Sequence, residues 1–160
     1  MTVVLRIEGL AFAYSRQALY EGLSVTVGQP GVYGLFGRNG SGKSTLLKLL
    51  AGLLTPAEGR LVVMGHEPRQ RAPAFLSQVY LLPEEFHLPN LTPLQLLGNQ
   101  AGFYPRFDAA LYTDYLQTLK VPEAQRFADM SLGQKKKAAI AFALATQTPL
   151  LLMDEPTNGL

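Results

Sequence analysis

The chain has 160 residues, 48% of them hydrophobic, enough to bury the core of one globular domain and far from the composition of a disordered segment. Lysine and arginine number 14 against 12 acidic residues, so the net charge of +2 supplies no field that would draw in a polyanion, and no nucleic acid is expected as a partner. The lack of cysteine excludes disulfides, thiolate zinc sites and a cysteine nucleophile, and fits an intracellular setting. Arg6 and Glu8 interrupt the apolar stretch a signal peptide would need, and no run of about 18 apolar residues exists to cross a membrane.

In chain order, residues 3–7 and 23–27 read as antiparallel strands joined through a turn at Ser15-Arg16-Gln17-Ala18, forming a small β-layer. The apolar stretch at 32–36 predicts a strand running straight into Gly37, and leucines at helical spacing predict a helix over 44–51. Pro56 and Gly59 mark a loop before another strand at 60–64. From about 89 to 129 the pattern turns helical. Thr92-Pro93 reads as an N-cap with proline at the first helical position, and Asp108 caps a second helix with Leu111, Tyr115 and Leu119 on one face. The alanine- and leucine-rich stretch 134–145 is a further helix. Leu150-Leu151-Leu152-Met153 is the continuous apolar run of a strand buried on both faces.

Gly37-Arg38-Asn39-Gly40-Ser41-Gly42-Lys43-Ser44 satisfies the phosphate-loop pattern G-x-x-x-x-G-K-[ST] and lies between a predicted strand and a predicted helix, as the mechanism requires. Glycines let successive backbone N–H groups turn inward as an anion nest at a helix N-terminus. Lys43 would pair with the β and γ phosphates, Ser44 would offer its hydroxyl to Mg²⁺, and Thr45 would contact the α-phosphate. A plain glycine-rich turn is the competing reading. Asp154 and Glu155 follow the last apolar strand, at the edge where open α/β sheets bind ligands. There Asp154 would hold Mg²⁺ and Glu155 would orient the water attacking the γ-phosphate.

Met130-Ser131-Leu132-Gly133-Gln134 falls between these two motifs, about twenty residues before Asp154, and here the sequence resembles the ATP-binding cassette (ABC) family. The family's usual signature is Leu-Ser-Gly-Gly-Gln: Ser131, Gly133 and Gln134 match it, while Met130 and Leu132 depart. Further similarity lies in Ala51-Gly52-Leu53-Leu54-Thr55-Pro56-Ala57-Glu58-Gly59 and in Asp154-Glu155-Pro156-Thr157-Asn158-Gly159-Leu160, so the resemblance covers nearly the whole chain. It implies an α/β fold with a P-loop NTPase, RecA-like core, an N-terminal antiparallel β-layer and a helical insert. The domain would occupy 1–160, with a helical subdomain at about 89–130. It also implies ATP and Mg²⁺ as ligands, and head-to-tail pairing with a second ATP-binding domain. Ser131, Gly133 and Gln134 would then contact nucleotide held by the partner's loop.

On residue pattern alone, Ser131 and Gln134 form a capping box. Lys135, Lys136 and Lys137 crowd the first turn of that helix, where the dipole disfavours cations, which hints at a nearby anion; a solvated face is the plain alternative for their side chains. The resemblance further implies an upstream aromatic stacking on adenine, Tyr14 with Phe12 as runner-up. Glu84 aligns with the family's Q-loop glutamine, which touches Mg²⁺ and the attacking water and senses the transmembrane partner. Glutamate there is a departure, and Pro83-Glu84-Glu85 is similar to cassettes of ABC-2 type exporters.

The family normally continues past this point with an aspartate completing the D-loop, further strands and a switch histidine. The chain therefore reads as a fragment of the domain, C-terminally incomplete. ATP hydrolysis is expected of the full-length parent and left open for this chain. The leading function is the ATP-hydrolysing subunit of an ABC transporter, cytoplasmic and held at the inner face of the membrane through a permease subunit. The alternatives are a soluble ABC ATPase acting on ribosomes or DNA, marked by a long basic insertion or second cassette not seen here, and a P-loop kinase or GTPase, disfavoured by the signature and the Asp154-Glu155 pair.

Overall fold

A computed structural model of the protein describes residues 4–158, so Val3, Gly159 and Leu160 of the motifs above lie outside the described residues. The chain divides into two compact units, residues 1–76 and 77–160.

In the first unit, β1 (Leu5–Tyr14) and β2 (Gln17–Val27) form the expected antiparallel hairpin, longer than the pattern suggested, with Tyr14 opposite Gln17 and Leu5 opposite Val27. The third strand, β3 (Glu58–Val63), pairs with β1, giving the order β2-β1-β3. A bulge around Gly9, in the left-handed region at φ 59°, shifts the parity of β1, so that Ile7, Leu10 and Phe12 all reach the core. Inserting one residue in a two-residue period moves the following side chains to the opposite face. Helix α1 (Lys43–Leu50) buries Thr45, Leu49 and Leu50, and the short α2 (Pro73–Leu76) buries Phe75.

The strand expected at 32–36 is not formed. Val32 is 104% and Phe36 93% exposed. A strand exists only as a member of a hydrogen-bonded ladder, and the described sheet of this unit, β2-β1-β3, offers none to this segment.

In the second unit, β4 (Val79–Leu82) and β5 (Leu150–Met153) pair in parallel, Val79 opposite Leu150 and Leu82 opposite Met153. The crossover between them carries α3 (Pro93–Gln100), α4 (Ala109–Thr118) and α5 (Leu132–Ala145). Each expected cap is present. Thr92 and Gln95 complete a capping box with Pro93 in the first turn, and Asp108 accepts from the Leu111 N–H at 2.9 Å. On α4 the fully buried residues are Tyr112 and Leu116, whereas Tyr115 and Leu119 lie partly buried beside them. Strand β5 is not buried on both faces: only Leu152 is buried, because β4 is its single described neighbour.

From Ala138 to Ala145 helix α5 is apolar all round, as a helix enclosed on several sides must be. Ala138, Ala141, Phe142 and Ala145 pack with Leu96, Tyr112, Leu116, Phe127 and Met130, while Ala139 and Ala143 pack with Leu82. The Phe142 ring stands 4.9 Å from Phe107 and 5.6 Å from Tyr112, in tilted and edge-to-face contacts. Burial pushes the Tyr80 and Tyr112 hydroxyls well above the ordinary phenol range, so both stay neutral in this core. Phe142→Ala is expected to cost about 3–5 kcal/mol, by lost transfer energy and the cavity left behind. Urea unfolding followed by near-ultraviolet circular dichroism checks it.

Candidate nucleotide-binding site

The phosphate loop and the Asp154-Glu155 turn are each built from local backbone geometry. In the first unit the phosphate loop turns through a Ser41 N–H to Arg38 carbonyl hydrogen bond of 3.1 Å, with Gly40 at φ 79° and Gly42 at φ 96°. Gly42 is the N-cap of α1, and no side chain caps that helix. Its first-turn N–H groups therefore keep their hydrogen-bonding capacity for an incoming acceptor, at the positive end of the helix dipole. A Cβ on Gly37 would come within 2.6 Å of Ser41 Oγ, so a side chain there would make that hydroxyl turn away. Lys43 Nζ curls over the same loop, donating to the carbonyls of Gly37 at 2.9 Å and Arg38 at 3.2 Å. A flexible ammonium held by two neutral carbonyls is free to exchange them for phosphate oxygens.

The hairpin supplies the residues beside this loop. Tyr14, 50% exposed, places its hydroxyl 3.3 Å from that of the buried Thr45, whereas the alternative aromatic, Phe12, is buried and meets the Tyr14 ring edge-on at 5.0 Å. Tyr20, which the sequence pattern did not single out, donates its hydroxyl to the Gly42 carbonyl at 2.8 Å. Asn39 and Ser41 are exposed, and Ser44 is half-buried in the first turn of α1.

In the second unit Asp154 extends the β4–β5 ladder, its N–H bonded to the Leu82 carbonyl at 2.9 Å, and is itself buried. Glu155 follows, exposed and in the left-handed region at φ 44°, a conformation that costs a non-glycine residue energy and persists where its surroundings enforce it. The Glu155 carbonyl is held by the Asn158 N–H at 3.2 Å and by Lys136. Its ammonium donates to the carbonyls of Glu155 at 2.8 Å and Asn158 at 2.6 Å. Asn158 in turn donates its side-chain amide to Glu84 at 2.8 Å, so the turn after β5 and the loop after β4 are tied together. Ser131 caps α5 as expected: its hydroxyl accepts from the Gln134 N–H at 3.2 Å, and the Gln134 side chain accepts from the Ser131 N–H at 3.0 Å. Gly133 lies half-buried in the first turn of that helix.

With this geometry in place, comparison with known proteins is decisive. The family profile described as ABC transporter matches residues 20–158. The chain belongs to the ABC transporter family. This ABC transporter chain is 26% identical to the ABC transporter ATP-binding protein YtrB of Bacillus subtilis, covering 98% of the chain and 54% of that relative. It is 33% identical to the Nod factor export ATP-binding protein I of Cupriavidus metallidurans, covering 100% of the chain and 55% of that protein. The cytochrome c biogenesis ATP-binding export protein CcmA of Sphingopyxis alaskensis is 32% identical over 100% of the chain and 77% of its own length. A solved ATP binding subunit of an ABC transporter superposes with a TM-score of 0.83 at 29% identity, over 98% of this chain and 68% of the other. The α/β P-loop NTPase fold expected from the sequence is thus the fold found. The chain spans little more than half the length of the first two relatives.

Tyr20 escaped the sequence reading, and for Lys136 the solvated-face alternative is corrected. Lys136 is not on a solvated face: it is 4% exposed and binds backbone carbonyls nineteen and twenty-two residues away. These long-range bonds account for one of the three lysines in the first turn of α5. Only the apolar spacing of that helix could have hinted at it, because position 136 precedes the buried Ala138 and Ala139. Removing the ammonium in this ABC transporter chain takes a donor from the Glu155 and Asn158 carbonyls, the first of which keeps the Asn158 N–H at 3.2 Å. Lys136→Met, which keeps the apolar stem, is therefore expected to cost about 1–3 kcal/mol, with Lys136→Arg recovering part of it. Chemical denaturation of the three proteins side by side makes the comparison.

Proposed function

We propose that this chain binds ATP with Mg²⁺ and forms the nucleotide-binding part of an ATPase that powers transport through a membrane-embedded permease. The observation that carries the reading is the phosphate loop itself. A helix of eight residues starts at a left-handed glycine with no side-chain cap and with a lysine folded over the loop it would share with phosphate. In this reading the amides around Gly37, Asn39, Gly40, Ser41 and Gly42 wrap the phosphates, Lys43 pairs with the β and γ phosphates, and Thr45 stands at the α-phosphate. The half-exposed ring of Tyr14 offers the adenine a stacking face.

The Mg²⁺ requirement fits the donor chemistry: Ser44, Asp154 and Glu84 all present hard oxygens, and Mg²⁺ takes few protein ligands alongside phosphate and water. When bound, the ion would neutralise charge on the phosphates. Glu155 acts as the water-orienting carboxylate, and its backbone, held by Lys136, fixes where that carboxylate starts from. Lys43 completes the catalytic set by stabilising charge on the transferred phosphoryl group.

The remaining roles follow from family membership. Ser131, Gly133 and Gln134 address the nucleotide of a second ATP-binding domain in a head-to-tail dimer. The helices between about 89 and 130 act as a helical subdomain which, with the Glu84 loop, passes motion to the permease. The protein works at the inner face of the membrane. No helix among the described residues is long and apolar enough to cross a membrane. Two of the relatives carry export in their names, and the Pro83-Glu84-Glu85 sequence points the same way, so export is the direction proposed.

The test is the thermal midpoint of this chain with and without Mg-ATP, since a ligand that binds only the folded state raises apparent stability, by about 2.7 kcal/mol at a hundred times its dissociation constant. Lys43→Ala is expected to abolish the shift; an unchanged shift would remove the loop from the reading. Glu155→Gln is expected to keep the shift, and to lose turnover wherever the wild type shows it.

A further inference from the structure

We propose that Tyr20 is a positioning residue of the phosphate loop: by holding the Gly42 carbonyl it aims the Lys43 N–H at the phosphate. The inference rests on the nucleotide-binding reading of that loop and adds to it a residue that lies outside the motif, on β2.

The argument begins with the peptide unit between Gly42 and Lys43. The carbonyl of Gly42 and the N–H of Lys43 are opposite ends of one rigid plane, so fixing the first fixes the direction of the second. That carbonyl accepts two hydrogen bonds, from the Leu46 N–H at 2.9 Å and from the Tyr20 hydroxyl at 2.8 Å. The first belongs to the helix. The second comes from a side chain twenty-two residues away, opposite Phe12 in the β1–β2 register, and so ties the plane to the rigid hairpin.

Gly42 needs such an anchor. At φ 96° with no side-chain cap it has the freedom of any glycine, and a glycine peptide turns over readily when nothing holds it. The fit around it is tight: a Cβ there would meet the Tyr20 hydroxyl at 2.6 Å and Leu19 Cδ2 at 3.0 Å. The left-handed φ of 96° is what favours glycine at this point, and Tyr20 closes the space that glycine leaves. Burial, and then the neighbouring Tyr14 hydroxyl, raise the Tyr20 hydroxyl above the ordinary phenol range, so it remains a donor throughout neutral pH. Tyr14 meanwhile reaches Thr45 at 3.3 Å, so the two tyrosines of the hairpin address both ends of the helix's first turn.

The experiment compares wild type and Tyr20→Phe in the whole chain by calorimetric titration with Mg-ATP and with Mg-tripolyphosphate, which carries phosphate and no adenine. Losing one aimed hydrogen bond should weaken binding about 3- to 10-fold, by the same factor for both ligands. In the free chain, the Lys43 amide of Tyr20→Phe should exchange its hydrogen faster than in wild type. Equal affinities in the two proteins would overturn the proposal while leaving the nucleotide reading standing, as would a loss confined to ATP, which would move Tyr20 to the adenine. A lower melting temperature with unchanged affinities would make the bond a structural one only. Failure of the wild type to bind either ligand would bring down the nucleotide reading itself, and this inference with it.

Discussion

Every α-helix leaves its first backbone N–H groups without partners inside the helix, and how each helix of this protein meets that demand organises the rest. Three of its longer helices answer with a side chain: Thr92 for α3, Asp108 for α4 and Ser131 for α5. Helix α1 answers with none, and it alone follows a glycine-rich loop. Capping residues typically contribute about 1 kcal/mol, so leaving α1 without one costs stability that a bound anion can return. In the proposed reading that anion is the phosphate of a nucleotide, and the left-handed backbone at Gly40 and Gly42 shows why the motif has glycine there.

The second unit meets a related demand by a different route. A parallel strand pair ending at Leu82 and Met153 delivers Asp154 and Glu155 to its carboxyl edge, where the backbone leaves the ladder and its carbonyls lose their partners. Lys136 donates to Glu155 and Asn158 from α5, beside the Asn158 N–H that also reaches the Glu155 carbonyl, as a buried cation without a carboxylate facing it in any described ion pair. Removing an ammonium from water is expensive, and two carbonyl bonds only partly offset it. A protein keeps such an arrangement where the geometry it fixes matters. Here that geometry is the left-handed Glu155.

What could be read from the sequence divides along the range of the interactions. The caps at Thr92, Asp108 and Ser131 involve partners three residues on, and each was legible as a short pattern. The hairpin turn near Ser15 was legible for the same reason, as was the helix of α5, while β5 was legible from its continuous apolar run rather than from any local partner. The bounds of β1 and β2 were not, because the residues next to the turn, 8–14 and 17–22, become strand through pairing across the hairpin. Strand β4 was missed since its four residues gain strand character only from β5, some seventy residues later. The segment at 32–36 failed in the opposite sense: its composition suits a strand, but composition cannot supply a ladder.

The candidate site shows the same division at the level of single side chains. Lys43, Ser44, Asp154 and Glu155 announce themselves because phosphate chemistry fixes their types and spacing. Lys136 and Tyr20 bind main-chain carbonyls, and a carbonyl is offered by every residue, so no pattern of residue types reports the pairing. Both groups also act on backbone that has left regular structure, Glu155 at φ 44° and Gly42 at φ 96°. Irregular backbone has no repeating hydrogen bonds to keep it in place and must borrow them from side chains on rigid elements, a helix in one unit and a hairpin in the other. The motif residues thus define what the loops can bind, while residues outside the motifs decide whether the loops are held in the shape that binds it.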